Sequence, residues 1–84
     1  MIKIYQTTSC PFCMMVVREA RNMGLTEGQD YELINAARGT PGREELLSIG
    51  GRNQVPFLTD GDTAMYESRD IISYLQHKFQ PAQS

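Results

Sequence analysis

Apolar and polar positions alternate over Ile2-Lys3-Ile4-Tyr5-Gln6, a run rich in strand formers, which predicts a first strand. From Pro11 the period lengthens. Val16, Val17, Ala20 and Met23 recur at helical spacing, and Gly24 supplies a stop. Ser9 or Cys10 is the expected cap, and Pro11 suits the first helical position, where an N–H is unpaired in any case. Leu25 to Gln29 form a connection, and Asp30-Tyr31-Glu32-Leu33-Ile34 reads as a second strand. The helix between these strands makes them a parallel, right-handed unit. After a polar loop, Thr40 and Pro41 start a short helix carrying Glu44, Glu45, Leu46, Leu47 and Ile49, and Gly50-Gly51 ends it. Phe57-Leu58-Thr59 is a third strand, Asp60-Gly61 a tight turn, and Asp62 to Met65 its antiparallel partner. A last helix runs from Glu67 to Phe79 and buries Ile71, Ile72, Leu75 and Phe79.

The order βαβαββα predicts an α/β fold, a four-stranded mixed sheet flanked by helices. Residues 1–80 are expected to form a single domain, and residues 81–84 a frayed tail. With 84 residues and 40% hydrophobic content, the chain can bury one core without obligatory staples. A net charge of -2 and no run of Lys or Arg argue against a nucleic-acid partner. No apolar run approaches membrane-spanning length, and no hydrophobic leader precedes Ile2, so a cytoplasmic protein with no membrane partner is expected. Structural disulfides are rare in that compartment, which assigns chemistry to the two cysteines.

Those cysteines, Cys10 and Cys13, stand three positions apart where the first strand gives way to the first helix. Two thiols so spaced in a first turn can close a disulfide, and the unpaired N–H groups and positive dipole end there favour a thiolate. Cys10 is the expected nucleophile and Cys13, one turn in and directed at the core, the resolving thiol. A zinc site needs four ligands, and this chain has no further Cys and only His77, so no metal is expected. An iron–sulfur cluster shared between two chains, using Cys10 and external thiols, stays open as a non-enzymatic alternative. Phe12 is expected to shape access to Cys10. Met14 and Met15 read as a docking or packing surface, with burial in the core the safer expectation.

Two further sites accompany the dithiol. Pro56 opens a strand, so its N side must face a loop or edge. If the Val55–Pro56 bond is cis, the Val55 backbone turns outward and can pair with a peptide-like ligand; by itself the dipeptide reads as trans. Glu67-Ser68 opens the last helix and is either an anion-ready terminus or a plain Ser cap. Arg52 and Gln54 can meet a carboxylate or an amide, or be ordinary loop residues.

The Cys-x-x-Cys at the first strand-to-helix turn of this order is a thioredoxin-like layout. Cys10-Pro11-Phe12-Cys13, Gln54-Val55-Pro56 and Glu67-Ser68 with Ile71, Tyr74 and Leu75 together resemble a glutaredoxin, from Ile2 to about Phe79. The Glu67-Ser68 pair is more similar to the amino-terminal domain of glutathione transferases and of the larger, transferase-like glutaredoxins. The resemblance implies a glutathione-dependent thiol–disulfide oxidoreductase, with glutathione as cosubstrate and disulfide-bonded or glutathionylated proteins as substrates, acting as a monomer. It also implies Val55 on the cysteinyl backbone ahead of a cis Pro56, Glu67 and Ser68 on the γ-glutamyl end, and Arg52 or Gln54 near the glycyl carboxylate. Recycling by thioredoxin reductase is the remaining alternative. Thr7 stands where small glutaredoxins often carry Lys, and Met65-Tyr66 where they carry Gly-Gly. The latter points to a transferase-type pocket; no second, all-helical domain is expected, and therefore no conjugation.

Overall fold

The computed structural model describes residues 1–79. The tail expected at 81–84 lies outside them. Strand β1 (Ile2–Gln6) is followed by helix α1 (Pro11–Asn22), strand β2 (Tyr31–Asn35), helix α2 (Pro41–Gly50), the hairpin β3 (Phe57–Asp60) and β4 (Thr63–Met65), and helix α3 (Ser68–Phe79). The sheet order is β2-β1-β3-β4. β1 runs parallel to β2 with Ile4 opposite Leu33, and antiparallel to β3 with Ile4 opposite Leu58. This is the expected thioredoxin-like fold.

Neighbours along a strand face opposite sides of the sheet, so β1 and β3 feed two cores. Ile2, Ile4 and Leu58 join Val16 and Ala20 of α1 and Ile71 and Leu75 of α3. Tyr5 and Phe57 point the other way and meet Leu46 of α2 with Ala36. Helices on both faces explain why Ile4 and Tyr5 are consecutive and both fully buried.

Three boundaries and one exposure differ from the expectation. β2 starts at Tyr31, because the Asp30 N–H donates to Thr26 O and its carboxylate accepts from Thr26 N at 2.7 Å, holding Asp30 in the turn. The hairpin turns at Gly61-Asp62, since Asp60 still pairs with Thr63. Asp60 is held there by Tyr74 Oη at 2.5 Å and Lys78 Nζ at 2.7 Å, which also keep its carboxyl below the usual range. α3 starts at Ser68, with Glu67 as the cap residue whose carbonyl accepts from Ile71 N at 2.9 Å. Met14 is not core: it is 60% exposed on α1.

The buried tyrosines make stability pH-dependent. Burial, with the Glu45 carboxylate that accepts from its hydroxyl, pushes Tyr5 up to about 12, and burial raises Tyr31 as well. A raised folded-state value means the native chain holds the proton more tightly than the unfolded chain. The contribution is full below the ordinary value of 10.0 and is lost as pH rises toward about 12. The denaturant midpoint should stay level to about pH 9 and fall through this window. A midpoint that is level to pH 12 would contradict the assignment.

Candidate active site

Cys10 caps α1. Its backbone is extended (φ -96°, ψ 115°), Pro11 follows at the first helical position, and its Sγ accepts from Cys13 N at 3.4 Å. A thiol in this place does what a Ser or Asp cap does, satisfying one of the free N–H groups of the first turn. The two thiols are unbridged; Cys10 is half-buried and Cys13 has no exposed surface. Burial pushes the Cys13 thiol up to about 12, helped by the Cys10 sulfur and opposed by a backbone hydrogen bond from Thr7. The pair therefore offers one accessible sulfur over a second that keeps its proton at neutral pH.

Beside this turn lies a cleft of about 150 Å³ that brings together Phe12, Gln54, Val55, Pro56, Glu67 and Ser68. Phe12 is 61% exposed at its edge. The Val55–Pro56 bond is cis. Among the described residues, neither the N–H nor the C=O of Val55 has a backbone partner. The cleft thus presents a free donor and acceptor on one wall and the opening turn of α3 on the other.

Arg52 is placed differently from the rest. It stands at the rim, with its Nη2 3.0 Å from Gln54 Oε1 and 3.6 Å from Glu67 Oε2. Gln54 Nε2 completes the cluster at 3.4 Å from Glu67 Oε2. Both members of the ion pair are largely exposed, so it adds little to stability. Its effect is to join the wall bearing Gln54 and Val55 to the start of α3.

Tyr66 is a cleft residue that motif reading missed. Its ring lies 4.4 Å from that of Phe57, under the Arg52 guanidinium at 4.8 Å. Its hydroxyl accepts from Arg52 N at 2.9 Å and donates to Arg52 O at 2.8 Å. Gly50 makes room for it: a Cβ there would fall 2.2 Å from the hydroxyl. The available signal was an aromatic directly before Glu67-Ser68 together with a Gly pair ending α2, and these two features are far apart in the chain.

Among the described residues, no three His, Cys, Asp or Glu side chains converge, and no helix is long and apolar enough to cross a membrane. His77 is on α3, with its Nδ1 2.8 Å from Ser73 O.

Comparison with known proteins places this architecture. The family described as glutathione S-transferase, N-terminal domain, matches residues 4–83. Glutathione S-transferase 4 of Zea mays is 33% identical over 85 residues, covering 95% of this chain and 35% of the relative. A glutathione S-transferase of Hyoscyamus muticus is 29% identical over 80 residues, covering 93% and 36%. The solved structure of glutathione S-transferase I from maize, in complex with an atrazine glutathione conjugate, superposes with a TM-score of 0.74 at 28% identity, covering 95% of this chain and 37% of that one. The chain spans about a third of the length of these relatives. The match runs along nearly the whole chain, which belongs to the family of glutathione S-transferase N-terminal domains.

Proposed function

We propose that this protein is a glutathione-dependent thiol–disulfide oxidoreductase of the dithiol glutaredoxin type. The observation that carries this reading is the accessible Cys10 sulfur capping α1 directly over the buried, protonated Cys13. Membership of a family of glutathione enzymes supports glutathione as the small thiol. The unpartnered Val55 backbone and the first turn of α3 are the groups for its peptide bonds and its γ-glutamyl carboxylate.

On a glutathione mixed disulfide, the Cys10 thiolate attacks the glutathionyl sulfur. The original S–S bond breaks, the protein sulfur leaves as a thiolate and takes a proton, and Cys10 becomes glutathionylated. A second glutathione thiolate attacks the glutathionyl sulfur on Cys10, releasing oxidised glutathione and restoring the Cys10 thiolate. On a protein disulfide, Cys10 forms a mixed disulfide with one partner sulfur. Cys13 then gives up its proton and attacks Cys10 Sγ, and the reduced partner leaves. Two glutathione molecules reduce the resulting Cys10–Cys13 bond. No step needs a metal.

The transferase names of the relatives favour a second reading, conjugation of glutathione to an electrophile. One set of assays separates the two. Turnover of a glutathionylated peptide with glutathione as the sole reductant is expected, with no conjugation of an aryl halide. Conjugation without disulfide turnover would replace the proposal, and turnover driven only by thioredoxin reductase would change the electron donor.

A further inference from the structure

A second cleft, about 400 Å³, lies between α1 and the β2 edge of the sheet. Its helix wall is Met14, Val17, Arg18 and Arg21, with Thr8 and Leu33 among the residues opposite. Counted from Cys10, those four stand at i+4, i+7, i+8 and i+11, which is one continuous stripe of a helix. Cys10 heads that stripe, whereas Cys13, Val16 and Ala20 face the core. Met14 is 60% exposed at the mouth. The chain carries a net charge of -2, yet this cleft is lined by two guanidinium groups and no carboxylate. Among the described residues, neither Arg18 nor Arg21 is in an ion pair.

We propose that this cleft receives the substrate protein: an extended acidic segment, apolar next to its cysteine, that lies along α1 while that cysteine is bonded to Cys10. The proposal rests on Cys10 being the nucleophile. Spacing sets the register. At about 1.5 Å per helical residue, Arg18 and Arg21 are about 12 and 16 Å along the axis from Cys10. An extended peptide advancing about 3.3 Å per residue meets them about four and five residues from its cysteine. Met14, about 6 Å along, falls against the second residue. The glutathione cleft, edged by Phe12, is separate, so the two ligands do not compete for these groups. The bond that forms joins Cys10 Sγ to the partner sulfur. The bond that breaks is the partner's own disulfide, whose other sulfur leaves with the electron pair.

The test uses single-cysteine peptides activated as mixed disulfides with thionitrobenzoate, reacted with Cys13→Ser protein and no glutathione. Attack on the peptide sulfur releases the coloured thiolate, the better leaving group. One peptide carries an apolar residue at the second position and Glu at the fourth and fifth; its control carries Lys there. Mercaptoethanol activated in the same way is the internal standard. The acidic peptide should react about five- to tenfold faster than the basic one, a difference that shrinks with salt, and Arg18→Glu/Arg21→Glu should invert the order. Equal rates for the two peptides, or a loss in the double variant shared by the mercaptoethanol compound, would overturn the proposal. If none of the three reagents releases colour, Cys10 is not the nucleophile and the reading beneath this one falls too.

Discussion

Replacing Cys10 with serine should lower turnover of a glutathione mixed disulfide by about a thousandfold or more, because a serine hydroxyl cannot form the covalent intermediate. The fold should survive. Serine is a preferred cap and can accept from Cys13 N as the sulfur does, so helix α1 keeps its start. The loss is therefore chemical, and an unchanged denaturant midpoint would show it. Cys13→Ser should behave differently, retaining turnover of glutathione mixed disulfides within a few-fold and losing the route that needs an internal resolving thiol. That route also has a distinct pH signature. Burial, the largest cause of the raised Cys13 thiol, persists when Cys10 is in a mixed disulfide, so the thiolate fraction near neutral pH grows about tenfold per pH unit. The resolving step, followed by rapid quench, should accelerate by about that factor from pH 7 to 8. A resolving rate independent of pH would mean that Cys13 is not the group attacking Cys10.

The second large effect is on stability. Phe57 has no exposed surface and lies between Tyr5 at 5.5 Å and Tyr66 at 4.4 Å. Phe57→Ala should cost about 3–5 kcal/mol, much of the about 5–15 kcal/mol that holds a small domain. Phe57→Leu, which keeps most of the volume, should cost far less and remain measurable by denaturant titration. Because Tyr66 rests on Phe57 and braces the Arg52 backbone, the leucine variant should also weaken glutathione binding while leaving Cys10 reactivity toward a small disulfide intact. A stable Phe57→Ala protein would show that the second core carries little of the fold.

Much of this arrangement was legible in the sequence because its signals are local. The alternation from Ile2, the helical recurrence from Val16 and the Asp-Gly hairpin mark four of the seven elements, the run at Tyr31, the Thr40-Pro41 start and the apolar face from Ile71 mark the other three, and the Cys-x-x-Cys marks where the chemistry was expected. Some of the misplaced details depend on contacts between distant residues. The hairpin turn moved by one residue because Tyr74 and Lys78, on α3, hold Asp60 in the strand. Tyr66 enters the cleft because Gly50 leaves space and Phe57 supplies a face, and neither is near it in sequence. Arg52 pairs with Glu67 and lies over the Tyr66 ring, contacts that no local pattern around Arg52 announces. Met14 is apolar at helical spacing, yet it faces out, because α1 buries the stripe of Cys13, Val16 and Ala20.

The transferase-like character and the dithiol are compatible on physical grounds. The dithiol occupies the first turn of α1, whereas Tyr66, Glu67 and Ser68 belong to the link between β4 and α3. In the proposed reaction, one region supplies the attacking sulfur and the other the place for the small thiol beside it. Arg52, bonded to Glu67 and stacked on Tyr66, ties the second region together through one exposed side chain.

The most direct test of the central claim is a titration of the reduced, isotopically labelled protein with reduced glutathione, followed by backbone amide chemical shifts. The account predicts saturable shifts at Val55, Glu67 and Ser68 and at Phe12 beside Cys10, with Arg18, Arg21 and Leu33 unmoved. Shifts that fail to saturate, or that gather along Arg18, Arg21 and Leu33 instead, would contradict it.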